Sequence, residues 1–167
     1  MVSLVTGEGA APPAGSRTTE RALVRTTWGI LGALLLENLL GMGLNLYVSL
    51  PSSTSFTKVF VTTPLLTAHI ALAFLLVAAT AAFVLLARRS RIEGLTLRGA
   101  LAFLSVVVAL QEGFAYAFTL NNAYSYGMDV AFVFAVAFEV GILYRLGQAR
   151  PAAGAPENGP ATAPAAR

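Results

Sequence analysis

Cysteine is absent from this chain of 167 residues. Its absence excludes disulfide frameworks, thiolate metal sites, thioether-attached haem and thiol redox catalysis. Charge is also scarce, because Asp, Glu, Lys and Arg make up 11% of the residues, whereas about 25% is usual in a soluble domain. The chain also lacks a Gly-rich phosphate loop, a nucleophile elbow and a basic soluble surface that would bind nucleic acid. We therefore expect no nucleic-acid partner, and the residue types favour a non-catalytic protein over an enzyme.

Hydrophobic residues account for 56% of the chain, and the mean hydropathy is +0.72. A single soluble core of this size could not bury so much apolar surface. The formal net charge of +3 does not indicate an acidic partner, because the basic residues flank apolar runs instead of covering one soluble face. The composition predicts an integral membrane protein whose first partner is the lipid bilayer.

Four apolar runs are long enough to cross a membrane, since about 20 residues at ~1.5 Å each span the ~30 Å hydrocarbon core. They predict an all-α, four-helix transmembrane bundle of up-down-up-down topology within residues 24–146, with spans at about residues 26–48, 61–87, 99–120 and 128–145. Pro64 fits the second span if Thr63 precedes the helix and Pro64 takes its first position. Residues 121–127 are expected to form a polar turn.

The two ends of the chain are rich in Pro, Ala and Gly and show no apolar period. We expect residues 1–20 and 151–167 to be disordered. The basic residues give the orientation, because every arginine falls on one side of the predicted spans and Lys58, the single lysine, falls on the other. By the positive-inside rule both termini are cytoplasmic, and the expected location is a bacterial-type plasma (inner) membrane crossed several times.

Each predicted span carries one ionisable residue within the membrane: Glu37, His69, Glu112 and Glu139. Ionisable side chains inside a membrane are costly and face the interior of a bundle. Small residues recur at every fourth position beside Glu37 and Glu139, which would let helices approach closely while polar side chains hydrogen-bond across the interface. We expect the four groups to lie at two levels, with Glu37 and Glu139 near the midplane and His69 and Glu112 nearer the outer boundary.

The interior groups allow several interpretations. A structural role requires only that the carboxyl groups be protonated and hydrogen-bonded to residues such as Asn38 and Asn45. A binding site would use Glu37, His69, Glu112 and Glu139 with Asn38 and Asn45 to hold a small ligand, a cofactor or protons.

Two cofactors are compatible with these residue types. One histidine cannot supply the two imidazoles of the commonest membrane b-haem, so haem would need His69 with Met42 as second axial ligand, or a dimer sharing His69. A mononuclear metal site could use the three carboxylates and His69, although the Glu-x-x-His pairs of di-iron bundles do not occur.

The segment LLLENLLGMG, with a carboxylate followed one turn later by glycine, resembles the small multidrug resistance family of four-span exporters. That resemblance implies a proton-coupled exporter in which Glu37 binds either protons or a cationic substrate. The chain departs from that family in its greater length, in lacking the tryptophan-containing signature of the third span, and in its three additional ionisable groups.

Two longer segments, GMGLNLYVSLP and TAHIALAFLLVAATAAFVLLARRS, resemble small four-span bacterial integral membrane proteins. This resemblance implies the four-span fold and adds nothing to the mechanism. The interpretation we favour is a non-catalytic binding or accessory subunit with an interior polar site, working alone, as a homo-oligomer or in a larger membrane complex. A proton-coupled exporter centred on Glu37 and a cytochrome with haem b bound by His69 are the alternatives.

Overall fold

The structure is a computed structural model that describes residues 14–48, 62–90 and 92–149, with side chains from Thr18 onward. The described residues form four long α-helices: α1 Ala14–Tyr47, α2 Pro64–Ser90, α3 Leu95–Thr119 and α4 Asn122–Gln148. All four are long and apolar enough to cross a membrane. The prediction of an all-helical bundle of four membrane-spanning helices is confirmed, and the protein is a multi-pass membrane protein.

α1 begins earlier than the sequence predicted. It starts at Ala14, so residues 14–20, expected to be disordered, are helical, whereas residues 1–13 and 151–167 lie outside the described residues. The extension has a physical reason, since Leu23, which lies between this segment and the predicted span, is fully buried. Packing of an apolar face stabilises a helix more than intrinsic propensity does, and this packing was not visible as an apolar run.

α2 begins at Pro64, which is one of the two roles that the sequence allowed for this proline, the other being a kink within a span that starts at about residue 61. The carbonyl of Thr63 accepts hydrogen bonds from the backbone N–H groups of Leu66 and Thr67, at 3.0 and 3.2 Å. Pro64 therefore occupies the first helical position, where its missing N–H removes no hydrogen bond. The predicted start at residue 61 and the Lys58 connection lie outside the described residues.

The boundaries of α3 and α4 are set by caps at Gly94 and Asn121. Gly94 precedes α3 with a φ of 72°, a left-handed conformation that favours glycine. Asn121 accepts a hydrogen bond from the Ala123 N–H at 3.0 Å and thereby caps α4. The expected polar turn at residues 121–127 is wrong, because the cap begins α4 at Asn122 and Gly127 lies within the helix.

Consecutive helices pack against each other, and α1 also packs against α4, which closes the bundle. One half of the bundle is tightly filled, and we call it the closed half. Its core draws on the first turns of α1 and α3 and on the last turns of α2 and α4: Leu23, Phe83, Ala87, Leu95, Ile142 and Leu146.

The helices separate in the other half, which we call the open half. There they surround a cavity of about 720 Å³, to which all four helices contribute residues. The walls are mainly apolar, with side chains such as Leu66, Ile70, Phe114 and Phe132. A volume of this size lies within the range of sites for small organic molecules, roughly 300–1,000 Å³.

Candidate functional site

Glu37 of α1 and His69 of α2 face each other on the wall of the open-half cavity. Glu37 Oε1 lies 3.1 Å from His69 Nδ1, and the two side chains are only 13% and 17% exposed. The distance is that of an ion pair when the imidazole is protonated, but the contact lacks hydrogen-bond geometry and Nδ1 has no hydrogen-bond partner among the described residues.

The second oxygen of Glu37 also has no hydrogen-bond partner. Oε2 is buried from solvent and contacts no donor among the described residues. A buried polar atom without a partner carries a free-energy penalty of about 1–3 kcal/mol. The pair thus has unsatisfied hydrogen-bonding capacity on the wall of the cavity.

Gly41 explains how the imidazole fits between α1 and α2. A Cβ on Gly41 would lie 3.4 Å from His69 Cε1, so this small residue leaves the space that the ring fills. Gly41 follows Glu37 by one helical turn, and the two residues therefore share a face of α1. The every-fourth-residue pattern of α1 thus positions both the acid and the space for its histidine partner.

Other polar residues predicted for the site line the same cavity. Asn38, Met42 and Asn45 lie along the α1 wall, and Asn38 Nδ2 contacts Met42 Sδ at 3.8 Å. Met42 and His69, the two residues expected for axial haem ligation, both line the cavity. Asp129, about two turns into α4, also lines it, although it was not among the predicted site residues.

Glu112 faces a different neighbour. A Cβ on Gly127 would lie 2.9 Å from Glu112 Oε2 and 3.1 Å from its Cδ, so the carboxyl group of α3 lies directly against the backbone of α4. Neither residue lines the open-half cavity. Glu112 therefore helps to join α3 to α4, and Gly127 is small because the carboxyl group occupies the space that a side chain would take.

Glu139 is buried in the bundle and separate from the cavity. Its side chain is 1% exposed, it does not line the open half, and neither carboxyl oxygen has a hydrogen-bond partner among the described residues. Glu37 and Glu139 were expected to lie at the same depth in the membrane, but their side chains do not form a pair. Glu37 instead pairs with His69, because α1 and α2 pack directly against each other.

The buried hydroxyl groups of Thr27 and Thr80 form hydrogen bonds within their own helices and do not bridge to a neighbouring helix as expected. Thr27 donates to the Leu23 carbonyl at 3.0 Å, and Thr80 donates to the Leu76 carbonyl at 2.8 Å. Each acceptor lies one turn earlier on the same helix. Such local bonds satisfy a buried hydroxyl without a partner helix, so apolar contacts and small residues join the helices at these positions.

Within residues 14–48, 62–90 and 92–149, no three His, Asp or Glu side chains come together as a metal-binding group. The structure brings Glu37 and His69 together with Asn38, Asn45 and Met42, and leaves Glu112 and Glu139 elsewhere. The apolar lining residues carried no signal in the sequence, because an apolar wall of a cavity and an apolar lipid-facing surface have the same composition.

These features define the class of protein: a four-helix, multi-pass membrane protein with a cavity in one half and an acid–histidine pair on its wall. Comparison with protein families, curated proteins and solved structures finds no match to the chain. The resemblances of short segments described above therefore remain resemblances, and the function has to be argued from the site.

Proposed function

We propose that this protein is a non-catalytic binding protein of a bacterial-type plasma membrane, whose ligand is a small, largely apolar molecule with a cationic group. The observation that carries the proposal is the Glu37–His69 pair on the wall of a mainly apolar cavity of about 720 Å³. Apolar walls bind the body of such a molecule, and a few polar groups fix its orientation.

The charges around the cavity favour a cationic group over an anionic one. Glu37 and Asp129 line it, whereas no lysine or arginine does among the described residues. The unpartnered Glu37 Oε2 would accept the ligand's charge or N–H donor. Phe114 and Tyr116, which also line the cavity, offer aromatic faces to which a cation is attracted.

The proposed arrangement in the membrane is up-down-up-down with both termini in the cytoplasm. The closed-half core combines the beginnings of α1 and α3 with the ends of α2 and α4, which supports alternating helix directions. Arg88, Arg89, Arg98 and Arg145 belong to the same end of the bundle by their positions in the chain. The positive-inside rule then puts the open-half cavity on the outer side of the membrane.

Binding of tetraphenylphosphonium, an apolar organic cation, to the purified protein in detergent tests the proposal. We expect saturable binding by calorimetry and a loss of about tenfold or more in Glu37→Gln, because the charge-assisted contact is removed. Glu112→Gln is the matched control, since it makes the same chemical change away from the cavity. Equal affinity of wild type and both variants for the cation would contradict the proposal.

A proton-coupled exporter is the second candidate, and one contact favours it. Because Glu37 lies 3.1 Å from His69, a cation that binds Glu37 competes with the imidazole and with a proton for the same carboxylate. Flux of the same cation into proteoliposomes under a pH gradient distinguishes the two functions. An exporter shows a gradient-dependent flux that Glu37→Gln abolishes, whereas a binding or accessory subunit binds the cation without flux.

A further inference from the structure

Two arginine side chains converge at the beginning of α3, far from the open-half cavity. Arg98 Nη1 and Arg145 Nη2 lie 3.2 and 3.8 Å from the point that a Cβ of Gly94 would occupy. The two guanidinium groups, one from α3 and one from α4, therefore share the space beside a single glycine. Like charges brought together in this way repel each other unless an anion lies between them.

Neither Arg98 nor Arg145 forms an ion pair with a carboxylate of the described residues. Arg145 Nε is also buried without a hydrogen-bond partner. Arginine is always protonated and presents a rigid fork of N–H donors that matches phosphate oxygens. A buried, unpartnered guanidinium nitrogen next to a second guanidinium group is the arrangement that a phosphate group would satisfy.

The backbone at the N-terminus of α3 also favours binding of an anion. Gly94 is the N-cap of α3 and has no side chain to accept the first N–H groups of the helix. The Leu95 N–H donates to the Ile92 carbonyl at 3.2 Å, and the next N–H groups of the helix, together with the helix dipole, favour an anion at the N-terminus. The positive φ of 72° at Gly94 also restricts this position to glycine, so the space in front of the two arginines is not filled by a side chain.

Arg98 is held in this position by a second glycine. Its Cδ and Nε lie 3.8 Å from the point that a Cβ of Gly141 would occupy. The aliphatic stem of Arg98 therefore lies over Gly141 of α4, and its guanidinium group lies beside Gly94, as does that of Arg145, which is one turn after Gly141 on α4. The convergence of the two arginines is built into the α3–α4 interface and does not depend on chance orientations of surface side chains.

From this geometry we infer that Arg98, Arg145 and the N-terminus of α3 form a binding site for a phosphate group, supplied by an anionic phospholipid at the membrane surface or by a free phosphate. Both sources offer the same oxygens to the same donors. The site is independent of the ligand proposed for the open-half cavity, because none of its residues lines that cavity.

Native mass spectrometry of the full-length protein with added dioleoylphosphatidylglycerol tests the inference. We expect one tightly bound lipid on the wild type, and about tenfold weaker binding in the double variant Arg98→Gln/Arg145→Gln, since the charge-assisted hydrogen bonds to phosphate are lost. The matched control is Arg88→Gln/Arg89→Gln, which removes the same charge from the end of α2 and should retain the lipid.

A competition experiment identifies the source of the phosphate, and a lysine variant separates loss of binding from misfolding. If millimolar inorganic phosphate displaces the lipid, free phosphate is also a ligand, and if it does not, the site is a lipid site. Arg98→Lys/Arg145→Lys keeps the charge without the forked donors and should bind with intermediate affinity. Equal losses in the 98/145 and 88/89 glutamine variants, or no loss in either, would overturn the inference.

Discussion

Glu139 is the most deeply buried ionisable residue in the described part of the chain, and its environment differs from that of Glu37. It is 1% exposed with neither carboxyl oxygen partnered, whereas Glu37 has His69 beside it and a cavity in front of it. Burying a polar group without a partner opposes folding by about 1–3 kcal/mol. Two glutamates that the sequence predicts at similar depths in the membrane therefore have different consequences for stability and for binding.

Replacing Glu139 by leucine should stabilise the protein. Glu139→Leu removes two unpartnered oxygens at similar side-chain volume, so the free energy of unfolding should rise by about 1–3 kcal/mol. Thermal unfolding in detergent measures the change. Glu139→Gln is the control, because it keeps polar atoms in the same place and should gain less. A lower melting temperature for Glu139→Leu than for the wild type would show that this carboxyl group has a partner in the membrane.

At the scale of the helices, glycine decides how closely two elements approach. Gly99 of α3 is buried, and a Cβ there would lie 3.0 Å from Cδ1 and Cε1 of Phe83 on α2. Phe83 is itself fully buried, so its ring has little room to move aside. The contact between α2 and α3 in the closed half therefore depends on the absence of a side chain at this position.

Gly99→Ala should destabilise the bundle by about 1–3 kcal/mol, because the added methyl group overpacks the α2–α3 contact. Gly32→Ala on α1 is the matched control. Nothing lies within 4 Å of a Cβ at that position, so the higher helix propensity of alanine should leave stability unchanged or slightly higher. Thermal unfolding of both variants provides the comparison, and equal melting temperatures would contradict the close packing of α2 against α3.

Much of the helical architecture could be predicted from the sequence, because membrane spans need long apolar runs that few other structures contain. The first residues of the helices were harder to predict. α4 begins at Asn122, ahead of the apolar run, because Asn121 caps it, and α1 extends back to Ala14 because packing at Leu23 stabilises the added turns.

The candidate site could be predicted only in part. Each span offers one ionisable residue, but which of them meet depends on the rotation of each helix about its axis. A small residue can mark a space for a ring, as Gly41 does for His69, or for a carboxyl group, as Gly127 does for Glu112. The sequence pattern is the same in both cases, so the Glu37–His69 pair could not be distinguished from a Glu37–Glu139 pair.

The whole molecule combines a filled half and an open half, and its orientation decides which side of the membrane reaches the cavity. α4 contains 27 residues and is roughly 40 Å long at ~1.5 Å per residue, which exceeds the ~30 Å hydrocarbon core. Both of its ends therefore emerge from the hydrocarbon. Ala123 and Ala149, near its two ends, are exposed and serve as reporters of orientation.

Because the chain has no cysteine, single-cysteine variants report on one position each. A membrane-impermeant maleimide added to intact cells should label Ala123→Cys and should not label Ala149→Cys, since the positive-inside rule places the arginine-rich end in the cytoplasm. After permeabilisation both should react, which controls for the reactivity of each thiol. Labelling of Ala149→Cys alone in intact cells would reverse the orientation and put the cavity on the cytoplasmic side.

The pair of Glu37 and His69 at the cavity can be tested directly, because His69 is the single histidine of the chain. ¹⁵N NMR of histidine-labelled protein in lipid nanodiscs therefore gives the signals of one imidazole. We expect Glu37→Gln to change both ring nitrogen shifts, Glu112→Gln to leave them unchanged, and tetraphenylphosphonium to shift them in the wild type. Superimposable spectra for the wild type and Glu37→Gln would contradict the pair and the binding site built on it.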